Sequence, residues 1–131
     1  MKNFFMDHPE EINTLQVISL GEALIDRLGP LGGDPSFDEP VTDCFGGAPA
    51  NVACALSRLG VSVSFVGCIG NDLIGKEFKN LMIDRGINIK GLQEDMLRPT
   101  RVVLVRRESN GERSFGGFEG DKGLGFADQA L

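Results

Sequence analysis

The chain has 131 residues, the length of one domain and enough to bury a core. A 41% hydrophobic and 24% charged composition is that of an ordinary globular protein, and a formal net charge of −6 with no basic block makes nucleic acid a poor partner. No apolar run approaches membrane-spanning length, so no membrane partner is expected, and Cys44, Cys54 and Cys68 fit no CxxC or zinc spacing.

Those three thiols read as reduced and mostly buried, in a cytosolic type of compartment. Residues 1–14 carry acidic groups and no signal-peptide pattern, so they read as a loose leader. A transit segment removed from a longer precursor would place the protein in a plastid instead. The single histidine, His8, falls in this polar leader, which argues against a His-based triad or a metal site.

Leu15–Leu20 reads as a short buried strand stopped by Gly21. Glu22-Ala-Leu-Ile-Asp26 follows, and an acid just past a strand's carboxyl end is where open α/β sheets hold ligands. The plainer role for Asp26 is that of a solvated loop or cap residue. Residues 28–40, rich in Gly, Pro and Asp, read as an exposed loop, and 41–45 as a short strand.

Phe45-Gly-Gly-Ala-Pro-Ala-Asn51 then leads into an apolar helical run. Pro49 suits a first helical turn, and the paired glycines Gly46 and Gly47 leave room for something to approach the backbone. Asn51 adds an amide that both donates and accepts, about one turn in. A ligand with several hydroxyls suits such a floor; a tight loop into a core helix is the bland alternative. Residues 52–59 carry no charge but Arg58, which predicts a helix buried on most sides, and Gly60 stops it.

Residues 61–66 alternate and are β-branched, a strand. Asp72 caps the next helix, whose Ile74, Phe78, Leu81 and Met82 share a face, and Gly86 ends it before a short strand at 87–89. Alternation of strand and helix predicts βαβ units and a parallel sheet. Beyond Lys90 the pattern changes to a hairpin, with strands at 101–107 and 112–115 about Asn110-Gly111. Lys122 suits a surface turn better than a phosphate contact. Residues 126–131 read as the beginning of a helix, so with about three parallel strands the chain reads as truncated. An exposed sheet edge invites self-association, and a homodimer through the hairpin layer is an open expectation.

There is no GxxxxGK[ST] phosphate loop, GxGxxG fingerprint or GxSxG elbow. Taken together, Gly21-Glu-Ala-Leu-Ile-Asp26, Gly46-Gly-Ala-Pro-Ala-Asn-Val-Ala53, Leu59-Gly60 and Phe65-Val-Gly-Cys-Ile-Gly-Asn-Asp-Leu-Ile-Gly75 resemble the N-terminal half of the pfkB (ribokinase-like) carbohydrate kinases, fructokinases above all. The resemblance implies an α/β fold, a three-layer α/β/α Rossmann-like sheet with a small β lid. Residues 15–131 would form the N-terminal part of such a kinase domain, with lid elements near 31–45 and 92–118. It implies phosphorylation of a sugar hydroxyl by ATP with Mg2+, in the cytoplasm. Asp26, Gly46, Gly47 and Asn51 would then bind the sugar.

Two departures accompany the resemblance. The family's Gly-Ala-Gly-Asp motif, whose Asp is the base and whose helix start holds the transferring phosphate, is absent, so the base and the ATP pocket are expected beyond Leu131. Gly116–Gly123 also stands where fructokinases carry an arginine followed by a Ser/Ala-Asp segment. A catalytically silent pfkB-like subunit is therefore the alternative to a sugar kinase.

Overall fold

The computed structural model describes residues 17–120 and 123–131; the leader, His8 and Lys122 lie outside them. In chain order the elements are β1 (Val17–Leu20), β2 (Leu24–Leu31), β3 (Thr42–Gly46), α1 (Ala48–Arg58), β4 (Val63–Gly70), α2 (Leu73–Asp84), β5 (Asn88–Asp95), β6 (Val102–Arg107), β7 (Arg113–Phe118) and a closing 3-10 turn at Ala127–Ala130. They form two sheets. The first is parallel, in the order β1-β4-β5; the second runs β3-β2-β6-β7, with β2 parallel to β6 and its other pairs antiparallel.

β4 is the centre of the parallel sheet because its side chains are apolar on both faces. Its Val63, Phe65 and Ile69 share one core cluster with Ala50, Ala53 and Cys54 of α1 and Phe78 and Met82 of α2. Both helices therefore cover the same face. Phe65, Phe78, Ile69 and Met82 are the largest side chains wholly removed from water. On the other face, Ile18 and Leu20 of β1 are 61% and 63% exposed, and the 3-10 turn packs beneath β4 and β5 near buried Cys68. Of the three layers expected, the described residues supply the sheet and one helix layer.

Three readings change. The segment expected as a loop from 28 begins as strand: β2 runs through Leu31, with Leu28 and Gly29 buried, because β3 pairs with it on one side and β6 on the other. The helix expected to be buried on most sides hides only Ala50, Ala53 and Cys54; Val52 and Leu59 are exposed, since α1 rests on a sheet by one face only. The final residues form a 3-10 turn rather than an α-helical start. Of the three cysteines, all free, Cys54 and Cys68 are buried and Cys44 is exposed. No helix of the described residues is long and apolar enough to cross a membrane.

The layers are joined where the chain passes between them. Asp72, the cap of α2, accepts from Gly75 N at 2.7 Å, from Thr100 N at 2.7 Å and from Thr100 Oγ1 at 2.8 Å, while that hydroxyl accepts from Gly70 N at 2.9 Å. One carboxylate thus fixes the end of β4, the start of α2 and the approach to β6. Phe45 of β3 meets Phe78 of α2 edge-on, with ring centroids 5.0 Å apart. Asp72→Ala removes a helix cap and leaves the N–H of Thr100, a residue only 3% exposed, without a partner. The expected loss is about 2–4 kcal/mol by these contributions, read from the midpoint of urea unfolding.

Candidate functional site

The site is built at the first crossing between the sheets. β1 ends at Leu20, and Gly21 turns with φ +145°, its N–H donating to Val66 O at 2.9 Å. A Cβ on Gly21 would stand 2.6 Å from Pro49 Cγ, so β1 and the start of α1 touch across a glycine. Ser19 Oγ donates to Pro49 O at 2.8 Å and holds that start in place. Gly47 is the N-cap of α1 with φ +96°, a conformation that disfavours any side chain. Its missing Cβ would lie 2.5 Å from the carbonyl oxygen of Glu22.

The second sheet brings Asp26 to the same place. Asp26 lies opposite Cys44 and Leu24 opposite Gly46 in the antiparallel pair of β2 and β3, so the four share one face. A Cβ on Gly46 would stand 2.6 Å from Asp26 Oδ2: the carboxylate rests directly on the glycine. Among the described residues no hydrogen bond or ion pair engages that carboxylate. Asn51 is exposed in the first turn of α1, and its N–H donates to Gly47 O at 2.9 Å. Asp26 thus rests on Gly46, Gly47 abuts the Glu22 backbone that leads into β2, and Asn51 stands one turn along the helix that begins there.

Two neighbours went unread in the sequence. Cys44 is the cross-strand partner of Asp26, which only the register discloses. Arg27, on the opposite face of β2, grips Asp43 with a two-pronged fork, Nε to Oδ1 and Nη2 to Oδ2, both 2.7 Å, and also pairs with Glu119. The fork fastens β3 to β2 beside Asp26. The Arg27 hydrogen bond holds the Asp43 carboxyl below its ordinary range, against the opposing effect of burial. The same bond raises the Arg27 guanidinium. Among the described residues no group of three or more His, Cys, Asp or Glu is placed to hold a metal ion, so these residues do not by themselves fit a Mg2+.

With that geometry in hand, the relatives are informative. A family model described as pfkB family carbohydrate kinase matches residues 14–127. The chain belongs to that family. It is 38% identical over 96 residues to the fructokinase of Escherichia coli, a match covering 73% of this chain and 29% of the relative. It is 40% identical over 100 residues to fructokinase-2 of Oryza sativa subsp. japonica, covering 76% and 30%. The crystal structure of Xylella fastidiosa fructokinase with bound ATP superposes with a TM-score of 0.72 at 35% identity, over 88% of this chain and 35% of that one. The chain spans about a third of the length of these relatives, and its fold is the ribokinase-like α/β type.

Two outcomes follow from the glycines and the fork. Gly47→Ala meets main chain and an unfavourable φ, whereas Gly46→Ala meets only side-chain atoms, those of Asp26 and Leu24. Thermal unfolding should therefore place Gly47→Ala lower in stability by about 2 kcal/mol or more, the scale of backbone strain. Because the Asp43 carboxyl is lowered on folding, its contribution is present above the ordinary carboxylate value of about 4 and is lost as pH falls through the lowered one. Midpoints recorded from pH 6 down to about pH 2 should fall less steeply for Asp43→Asn, and added salt should shrink the difference at so exposed a pair.

Proposed function

We propose that this chain is the sugar-binding part of a fructokinase-like kinase, and that the second sheet is the lid over its acceptor site. The observation that carries this reading is the Asp26 carboxylate, set on the bare α-carbon of Gly46 and engaged by no other described residue. A carboxylate so placed accepts from two vicinal hydroxyls at once. Gly46 and Gly47 serve the acceptor by letting the Asp26 carboxylate and the Glu22 backbone press against the start of α1, and the Asn51 amide donates to or accepts from a further hydroxyl. Enclosing the sugar between floor and sheet excludes water and aligns one hydroxyl for transfer.

ATP is the phosphoryl donor in this reading, and the Xylella fructokinase with ATP bound supports it. What this chain's own groups do is select and orient the acceptor.

The test uses the protein at its full encoded length, with D-fructose first in a panel of sugars. A charge-assisted hydrogen bond contributes about 1.5–3 kcal/mol, so Asp26→Ala should weaken sugar binding by about 10- to 100-fold in calorimetry while the fold persists. Unchanged affinity would sink the assignment of Asp26. Sugar binding without ATP-dependent phosphorylation would favour the silent-subunit alternative, which the altered stretch at 116–123 suits.

A further inference from the structure

The chain passes from the parallel sheet to the second sheet for the last time at Arg101, and an interior ion pair stands there. The guanidinium donates to Asp128 through Nε (3.2 Å to Oδ1) and Nη2 (3.1 Å to Oδ1), with Nη2 also 2.9 Å from Oδ2. Its central carbon lies 5.3 Å from the ring centre of Phe118 and 5.1 Å from that of Phe126. The Asp128 side chain is 5% exposed and that of Arg101 18%.

The desolvation of such a pair offsets most of its attraction, so its value lies in the arrangement it specifies. Three pieces meet in it. The Arg101 carbonyl accepts from Ile25 N at 2.9 Å, so the residue preceding Asp26 hangs from Arg101. Phe118 closes β7, the far edge of the second sheet. Asp128 belongs to the 3-10 turn that packs on β4 and β5, and Ala127 N donates to Pro99 O at 3.0 Å. Arg101 therefore fastens the sheet that carries Asp26 to the sheet that supports α1 and Asn51.

We infer that Arg101 and Asp128 are positioning residues for the acceptor site: their ion pair sets the separation of the Asp26 carboxylate from the Asn51 amide. The inference rests on the sugar-kinase reading above. Neither residue touches the sugar; both act through β2. A hydroxyl pattern spans the two side chains only at one separation, so loosening the pair costs acceptor affinity and leaves the nucleotide side alone.

The experiment compares wild type, Asp128→Asn, Arg101→Lys and the double variant Arg101→Met/Asp128→Leu at full encoded length. It measures KM for D-fructose, KM for ATP, kcat and the thermal midpoint. Asp128→Asn should raise the fructose KM about five- to twentyfold with the ATP KM within about twofold, the range of one weakened hydrogen bond. Arg101→Lys keeps the charge but not the fork, is the variant expected to fold in any case, and should fall between. The double variant should raise the fructose KM as Asp128→Asn does even where its midpoint recovers, which a merely structural role would not give. A fructose KM unchanged in every variant, with kcat falling only as folded protein is lost, overturns the inference and leaves the kinase reading intact. A wild type that neither binds nor phosphorylates any sugar of the panel overturns the kinase reading and this inference with it.

Discussion

The constraint on which the structure depends is the absence of two methyl groups. At Gly47 the backbone of the helix start runs against the Glu22 carbonyl, and at Gly46 the Asp26 carboxylate occupies the space of a side chain. These contacts close the gap between a parallel layer and a separate four-stranded sheet. The start of α1 and the Asp26 carboxylate then flank the glycine pair, with Asn51 in the first turn of the helix. Everything else in the site is support: Ser19 steadies Pro49, and the Arg27 fork steadies β3.

Much of this was legible in the residue order. Pro49 after the glycine pair, the Asp72 cap, Gly60 and Gly86 as stops, and Asn110-Gly111 as a turn each express a local rule, and local rules survive folding. Asp26, Gly46, Gly47 and Asn51 stand out in the residue order by their chemistry and by motif resemblance alike. β2 was hidden because Gly29-Pro30 and the glycines after it look like punctuation. Pairing on both of its edges, supplied by residues far along the chain, makes a strand there anyway. The reach of β5 to Asp95 was hidden for the same reason: its partner β4, not its own composition, extends it.

The least legible feature is the Arg101–Asp128 pair. It joins positions 27 apart with no shared periodicity, and only the folding of the 3-10 turn under β4 brings them together. Family motifs point to residues that touch ligands. They say little about residues that determine where those ligand-binding groups stand, and in a two-sheet protein such groups govern how one layer sits on the other.

The unequal shielding of the three thiols has a practical side. Cys54 and Cys68 are sealed in the interior, and burial pushes the Cys68 thiol up, further discouraging its thiolate. Cys44 alone faces solvent, one strand across from Asp26. A maleimide dye added to the native protein would accordingly attach at a single address, on the residue paired with Asp26 across β2 and β3, without any engineered cysteine.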